Sequence, residues 1–309
     1  MKLASFRTVH DGPLRVGRLE GAALVDLSPL VEGPAGPAAP SPMRCLLAKW
    51  DQLVDQVRTG SPGAIFDLSE VTLLAPVPDP TKVIAAPVNY LDHQQEMSEE
   101  VQVSGLGVFL KAPSSLLGSG GAVQIPYHDR RFDFEGELAV VIGRRTRHVP
   151  RAEAAASVAG YTCALDVTMR GGEDRSTRKS FDTFTPLGPW LVTPEEAGPP
   201  TGLVLETVAN GEVRQHASVG DLIWGVEDLV AYASSVMTLE PGDVISTGTP
   251  AGVGMLADGD RITVTIDRVG TLSVTVTAEG ATACPTAGAG RGSDLTAPVL
   301  ARVHQGVPS

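Results

Sequence analysis

Short apolar runs, separated by turns of Gly, Pro, Asp and Asn, fill most of the chain from residue 82 onward. Apolar runs bounded by such turns are typical of β-strands. The pattern therefore predicts strands at 82–86, 108–111, 137–142, 161–167, 188–192, 203–209, 243–246 and 261–266.

A few segments predict helices instead. Residues 43–57 predict one helix, and residues 151–159 predict a second because they are rich in Ala. In 220–237 the apolar residues recur at the 3.6-residue spacing of a half-buried helix, namely at Leu222, Ile223, Val226, Leu229, Val230 and Ala233. Together the elements predict a mixed, β-rich α+β fold.

The composition divides the chain into three parts. Residues 1–78 alternate apolar runs with Gly and Pro turns and predict a small N-terminal α+β domain. The Pro-rich passage at 74–80 ends it, because repeated Pro removes backbone donors and interrupts both helix and sheet. The main domain is expected at 79–279, and residues 280–309, rich in Ala, Gly, Thr and Pro, predict a disordered tail.

The charge of the chain narrows the set of partners. With 309 residues and a formal net charge of -12, the protein is not expected to bind nucleic acid or an anionic membrane. A small anionic substrate remains compatible, because a metal ion and a few basic residues can hold it locally.

Cysteine usage and the N-terminus bear on location. Cys45, Cys163 and Cys284 lie far apart without a C-x-x-C pair, so neither a disulfide framework nor a thiolate zinc site is indicated. No secretion signal is visible, and no run approaches the roughly 18 apolar residues of a membrane span. The sequence predicts a soluble protein of the reducing cytoplasm.

The first candidate for chemistry is a set of carboxylates. Glu135 and Glu137 head an apolar run and, at a spacing of two on a strand, point to the same side. Asp166 ends another apolar run. Like charges beside a buried sheet need a cation, and three carboxylates suit Mg²⁺ or Mn²⁺ better than zinc. A Glu-x-Glu pair on a solvated strand face is the alternative interpretation.

Two further motifs carry groups for proton transfer and charge stabilisation. His93 and Glu96 are three residues apart, so on a helical turn they face the same way, and a carboxylate bonded to an imidazole favours a general base. Lys179 precedes an apolar strand and could stabilise an oxyanion. The alternative interpretations are a surface His with an incidental Glu neighbour and a solvated Lys.

The Gly-rich loop at 246–254 matches no nucleotide motif. Its glycines would let backbone amides approach a small anion.

Taken in order, the motifs resemble those of the fumarylacetoacetate hydrolase family. The resemblance covers about residues 82 to 277 and rests on N-Y-x-D-H-x-x-E, F-x-K-x-P-S, E-x-E, G-Y-T-x-x-x-D-V-T-x-R, K-S-F-D-T-F, G-P-W and T-G-T-P-x-G-V-G. The segment before it is similar to the small N-terminal domain of many bacterial members.

The resemblance implies a fold and a set of roles. The fold would be a rolled β-sandwich in a homodimer, with Mg²⁺ or Mn²⁺ held by Glu135, Glu137 and Asp166. His93 and Glu96 would activate water on a mobile lid, and Lys179 would stabilise developing negative charge. The substrate, a small anionic 2-oxo or β-diketo acid, would be held by Arg170, Lys111, Thr247, Gly248 and Tyr90.

Two departures from the family pattern concern the surroundings of the site. Leu165 stands where an Asn often precedes the metal-binding Asp, which removes a polar group. Gly171 replaces an acidic residue that commonly follows the Arg, and the segment 171–178 is shorter than in many members. The departure at 171–178 leaves substrate specificity open.

The function predicted is hydrolysis of a C–C bond in an acylpyruvate or related β-diketo acid, such as a fumarylpyruvate-like or fumarylacetoacetate-like compound. A His–Glu activated water would attack a carbonyl, and a metal-stabilised enolate would leave. A 2-oxo-acid decarboxylase, an isomerase or tautomerase of the same family, and a binding member without turnover are the alternatives.

Overall fold

The computed structural model describes residues 1–9, 12–31, 39–60, 62–286 and 288. Strands dominate this part of the chain, which confirms the predicted mixed, β-rich α+β class. In order they are β1 Lys2–Arg7, β2 Arg15–Glu20, β3 Ala23–Asp26, β4 Ile65–Asp67, β5 Thr72–Leu73, β6 Val83–Ala85, β7 Phe109–Lys111, β8 Leu116–Leu117, β9 Ala122–Gln124, β10 Phe132–Phe134, β11 Gly136–Ile142, β12 Val158–Leu165, β13 Thr168–Met169, β14 Thr185–Val192, β15 Val204–Ala209, β16 Glu212–Ser218, β17 Val244–Ser246, β18 Gly254–Met255, β19 Arg261–Ile266 and β20 Gly270–Thr277.

The helices are short. They are α1 Pro42–Ala48, α2 Trp50–Thr59, α3 Leu91–Glu96, α4 Val103–Leu106, α5 Arg151–Ala154, α6 Arg175–Arg178, α7 Pro194–Ala197 and α8 Val226–Val236. None of the described helices is long and apolar enough to cross a bilayer.

The helix predictions need three corrections. The helix expected at 43–57 is two helices, with Lys49 between α1 and α2. The one expected at 151–159 ends early, because Val158 pairs with Ile142 of β11 and so starts a strand. The one expected at 220–237 begins only at Val226, since the preceding residues 219–221 form a separate 3-10 turn capped by Ser218.

A long sheet runs through the molecule in the order β4-β3-β2-β1-β14-β12-β11-β17-β6-β7. Its middle strand β11 is buried along its whole length, which explains why the sequence there is continuously apolar rather than alternating. The N-terminal strands join this sheet where Leu3 of β1 pairs with Leu191 of β14. The division into domains at 1–78 and 79–279 stays a prediction.

Two cores lie on opposite faces of β11. Leu138, Val140 and Ile142 belong to the main core, which β15, β19 and β20 of a second, five-stranded sheet complete. Val141 instead belongs to a smaller core with residues of α1 such as Met43 and Leu46. The alternation follows the two-residue period of a strand and leaves the ends of β11 and β12 as the place where polar side chains gather.

The predicted tail at 280–309 lies largely outside the described residues, which include only 280–286 and 288 of it. In that described part Thr282 forms a bridge with Tyr127, and the amide of Cys284 donates to Asp129 Oδ1 at 2.8 Å. This stretch therefore lies against the residues that lead into β10.

Candidate metal centre and active site

The register of β11 and β12 brings the carboxylates together. Gly136 pairs with Leu165, so Glu135 and Asp166 come to lie beside each other, and the amide of Asp166 donates to the carbonyl of Glu135 at 2.8 Å. One oxygen from each of Glu135, Glu137 and Asp166 lies within 4.8 Å of the others. All three residues are buried, Glu137 and Asp166 at only 2% exposure.

Position 136, between the two glutamates, has no room for a side chain and therefore requires glycine. A Cβ there would lie 2.0 Å from Thr207 Oγ1 and 3.0 Å from Gln215 Oε1. Its amide donates to Gln215 Oε1 at 2.9 Å, and its carbonyl accepts from Thr249 Oγ1 at 2.9 Å. Side chains of the five-stranded sheet thus pack directly against the backbone between the two glutamates.

Gly136→Ala is expected to lower the free energy of unfolding by about 1–3 kcal/mol, because overpacking forces the backbone to shift. The same shift should misplace Glu135 and Glu137 and lower turnover. Urea unfolding and steady-state kinetics measure the two effects. Gly202→Ala is the control, since its Cβ would meet only the flexible end of Arg268, at 3.3 Å; equal effects of the two variants would contradict the assignment.

Three buried cations surround the carboxylates. Lys179 Nζ donates to Glu135 Oε2 at 2.8 Å, to Asp166 Oδ2 at 2.6 Å and to Thr168 Oγ1 at 2.6 Å. Lys111 Nζ donates to Asp166 Oδ1 at 2.5 Å, and Arg170 Nη2 lies 3.0 Å from Glu135 Oε1. Glu135 and Asp166 are therefore each paired with two cations.

The pKa values of the buried carboxylates and of Lys111 reflect burial and these charged neighbours. Burial acts to raise the pKa of Glu135, but Lys179 and Arg170 outweigh it and hold that pKa far below the usual range. Burial and the neighbouring Asp166 raise the pKa of Glu137 to about 8. Burial also lowers the pKa of Lys111, and Lys179 adds to this effect.

Glu137 differs from Glu135 and Asp166 because no positive charge among the described residues is paired with it. Its Oε2 accepts from Ser246 Oγ at 2.5 Å and from the amide of Gly248 at 2.8 Å, and among the described residues no cation forms an ion pair with it. A buried, uncompensated carboxylate beside two others is what a divalent cation would neutralise. The all-oxygen donor set fits Mg²⁺ or Mn²⁺.

The predicted general base, His93, lies in the same cavity as the three carboxylates. His93, in α3, is buried and lines one cavity with Glu135, Glu137, Asp166, Arg170 and Lys179. Its Nδ1 lies 3.2 Å from Glu96 Oε2, and Glu96 Oε1 accepts from the amide of Gly252 at 3.0 Å. The imidazole is thereby oriented with its other nitrogen free of the Glu96 bond.

The remaining predicted substrate residues lie outside the lining of this cavity. Lys111 is buried beneath Asp166, and Thr247 Oγ1 donates to the carbonyl of Leu138. Gly248 contacts Glu137 through its amide, and Tyr90 is buried, with its pKa raised by burial and by Glu137. Their roles in binding substrate stay predictions.

Several residues of the site were not foreseen from the sequence. Ser246 contacts Glu137, Asp133 pairs with Arg170, and Asn89 ties the turn before α3 to the carbonyls of Trp224 and Thr247. Arg175 and Arg178 also line the cavity. Asn89 begins the motif N-Y-x-D-H-x-x-E, Ser246 begins the Gly-rich loop, and the arginines are two positive charges three residues apart in the shortened segment 171–178. Of these residues, only Asp133 left no visible signal.

The departures from the family pattern have structural counterparts. Leu165 is buried in the main core. A Cβ at Gly171 would lie 2.2 Å from Glu173 Oε2 and 2.3 Å from Arg130 Nη2. Glycine at 171 therefore makes room for the Arg130–Glu173 ion pair.

The fold and the site define a class of β-rich proteins in which buried carboxylates at the end of a sheet form a cluster that could hold a metal ion. Within that class, the family model described as fumarylacetoacetate (FAA) hydrolase C-terminal matches residues 82–277. The chain belongs to the fumarylacetoacetate hydrolase family, as its motifs predicted.

Known proteins are similar over most of the chain. Maleylpyruvate hydrolase of Aquipseudomonas alcaligenes is 48% identical over 220 residues, which are 68% of this chain and 77% of that protein. The mitochondrial oxaloacetate tautomerase Fahd2a of Rattus norvegicus is 36% identical over 289 residues, 88% of this chain and 90% of that protein. The crystal structure of maleylpyruvate hydrolase from Sphingobium sp. SYK-6 in complex with manganese(II) ion and pyruvate has a TM-score of 0.78 at 39% identity, covering 90% of this chain and 99% of that one.

Proposed function

We propose that the protein is a divalent-metal-dependent hydrolase that cleaves a C–C bond of an acylpyruvate or related β-diketo acid. The observation that carries the proposal is the His93–Glu96 pair, because its imidazole faces the same cavity as the carboxylates Glu135, Glu137 and Asp166. A base that activates water beside a cation site is what hydrolysis of such a compound needs.

The relatives support the same reaction. Two of the similar proteins are maleylpyruvate hydrolases, and one of them holds manganese and pyruvate, a 2-oxo acid, in its crystal structure. By this analogy Glu135, Glu137 and Asp166 would hold Mn²⁺ or Mg²⁺ here. The bound ion would supply Lewis-acid polarisation of the 2-oxo group.

The side chains around the cavity would then have different roles in the reaction. Glu96 orients the His93 ring through its bond to Nδ1, so that the other ring nitrogen can accept a proton from water. The ammonium of Lys179, held by Glu135, Asp166 and Thr168, keeps a positive charge beside the place where negative charge would develop on a substrate oxygen. Arg170, fixed by Asp133 and Glu135, adds a second positive charge at the same place.

The reaction is balanced by one water molecule. The hydroxide adds to the acyl carbonyl, and the bond between that carbon and the CH₂ group of the pyruvyl part breaks. Its electron pair passes to the CH₂ carbon, which takes back the proton from His93. The products are a carboxylate from the acyl part, pyruvate, and one proton released to solvent.

Tautomerisation or isomerisation is the second candidate. The tautomerase Fahd2a resembles the chain over 88% of its length, including the N-terminal part. Proton transfer between carbon and oxygen of a 2-oxo acid would use the same base and the same cation site without attack by water. A 2-oxo-acid decarboxylase and a binding protein without turnover are the remaining alternatives.

The predicted homodimer and the predicted cytoplasmic location stay predictions.

The function is tested by following the ultraviolet enol absorbance of a panel of acylpyruvates. With Mn²⁺ or Mg²⁺ the absorbance is expected to fall, and EDTA should stop the fall until metal is restored. Pyruvate and a carboxylic acid should accumulate in equal amounts. Release of CO₂, or an isomer as the sole product, would replace the hydrolase by one of the alternatives.

A further inference from the structure

Arg130 is a buried residue before β10 that has no part in the proposed chemistry. Its side chain makes two hydrogen bonds to the carboxylate of Glu173, at 2.8 Å to Oε1 and 2.9 Å to Oε2. Its Nη2 also donates to the carbonyl of Arg170 at 3.1 Å. A single arginine therefore joins the residues before β10 to the segment that follows Arg170.

The beginning of the predicted tail packs against this ion pair. Thr286 Oγ1 donates to Glu173 Oε1 at 2.7 Å and accepts from Arg130 Nη1 at 3.1 Å. The amide of Gly172 donates to the carbonyl of Gly288 at 3.2 Å. Hydrogen bonds from Arg130 and Thr286 lower the pKa of Glu173 to about 2. The carboxylate is therefore charged near neutral pH, and the contact with the C-terminal residues persists.

The segment 171–178 links two residues of the candidate site, Arg170 and Lys179. Each of these two residues is paired with two buried carboxylates. Between them, α6 forms part of the wall of the cavity. The two ends of the segment are thus fixed by the carboxylates, whereas the wall depends on what holds the middle.

The middle of the segment, residues 171–174, is held by Arg130 and the C-terminal residues. Among the described residues, its hydrogen bonds to other parts of the chain run to Arg130, Thr286 and Gly288. The side chain of Asp174 caps α6, and within the described chain no hydrogen bond joins α6 to another helix or strand. An arginine that holds a carboxylate through two parallel bonds fixes its geometry as well as its charge. The place of α6 therefore depends on Arg130.

We propose that Arg130 is a positioning residue that, through Glu173 and the C-terminal residues Thr286 and Gly288, fixes α6 and so sets the affinity of the cavity for the acyl part of the substrate. Arg130 acts through the segment 171–178 and not by contact with the substrate. This inference rests on the proposed function for the class of substrate, a 2-oxo acid with an acyl chain.

Glu173→Gln tests the inference, because it keeps the shape of the side chain and removes the charge of the pair. KM for an acylpyruvate, and Kd of the Mn²⁺-loaded protein for the unreactive 2-oxoheptanoate, should both rise by about 3- to 30-fold, the range expected of a residue that acts through others. In contrast, kcat should stay within about twofold, because Arg170 and Lys179 keep their own partners. Kinetics and calorimetry measure the two effects.

Two further variants show whether the pair itself is responsible. Arg130→Gln should raise KM and Kd in the same way, and the double variant with Glu173→Gln should have no larger effect than the stronger single variant, since both substitutions break one interaction. Thr286→Val changes an exposed side chain and removes only the hydroxyl group. It should weaken 2-oxoheptanoate by a smaller factor, and it tests the inference even if Glu173→Gln does not fold.

Asp228→Asn is the matched control, because it removes a carboxylate that pairs with the exposed Arg151 at 2.5 Å, outside the cavity. It should change neither KM nor Kd. Loss of folded protein would lower the apparent kcat and leave KM and Kd unchanged; that result, or additive effects in the double variant, would overturn the inference.

The same measurements separate this inference from the proposed function. A wild type that bound 2-oxoheptanoate with Mn²⁺ but hydrolysed no acylpyruvate would overturn the proposed function alone, and the Kd values of the variants would still decide the role of Arg130. A wild type that bound no 2-oxo acid would overturn both.

Discussion

Glu137→Gln is expected to lower metal-dependent turnover by at least about 100-fold, since loss of even an outer partner of a metal ligand typically costs 10- to 100-fold. Glu137 is the carboxylate of the trio without an ion pair among the described residues, so its charge is the one most available to a cation. An amide of the same shape keeps the packing but removes that charge. Calorimetric titration with Mn²⁺ and steady-state kinetics measure the loss.

The same variant should make the metal-free protein more stable. The pKa of Glu137 rises from 4.5 to about 8 on folding, so the folded state binds this proton more strongly than the unfolded state. Through this group, stability falls as the pH rises from about 4.5 to about 8. In urea unfolding with chelator, Glu137→Gln should remove that fall, a difference on the order of a few kcal/mol at pH 8.

Glu212→Gln is the matched control, because Glu212 is an exposed glutamate on β16. It should change neither metal affinity nor the dependence of stability on pH. If Glu137→Gln retained wild-type affinity for Mn²⁺ and wild-type turnover, the carboxylate cluster would not be the metal centre.

His93→Gln is expected to lower kcat by about 10²- to 10⁴-fold, the usual contribution of a general base. Glutamine can keep a hydrogen bond to Glu96 but cannot take a proton near neutral pH. Affinity for Mn²⁺ should be unchanged, because the carboxylates are untouched. Kinetics on an acylpyruvate, together with calorimetry, separate the two effects.

The chain contains a matched control for this variant. His216 Nδ1 lies 3.5 Å from Glu206 Oε2, so it is also a His–Glu pair, but both side chains are exposed on the five-stranded sheet. His216→Gln should leave kcat unchanged. Hydrolysis at the wild-type rate by His93→Gln would show that another group activates the water.

The carboxylate trio and the His–Glu pair were predictable because local rules govern them. Glu135 and Glu137 share a side through the period of a strand, and His93 and Glu96 share one through a helical turn. Asp166 joins the glutamates because β11 and β12 are neighbouring antiparallel strands. Family motifs then supplied the roles that spacing alone left open.

What the sequence did not reveal depends on long-range packing. Lys111 turned out to be the buried partner of Asp166, and the need for glycine at 136 arises from Thr207 on another sheet. The predicted helix at 151–159 was too long because pairing of Val158 with β11 outweighs the helix propensity of alanine. None of these effects is visible in the spacing of nearby residues.

The central claim, hydrolysis of a C–C bond with water as the attacking group, is tested most directly in water enriched in ¹⁸O. An acylpyruvate is turned over with Mn²⁺, and the products are analysed by mass spectrometry. The proposal predicts pyruvate and a carboxylic acid that carries one ¹⁸O from solvent in its newly formed carboxylate. Turnover that moves protons without breaking the C–C bond, or that proceeds unchanged after the metal is removed, would contradict it.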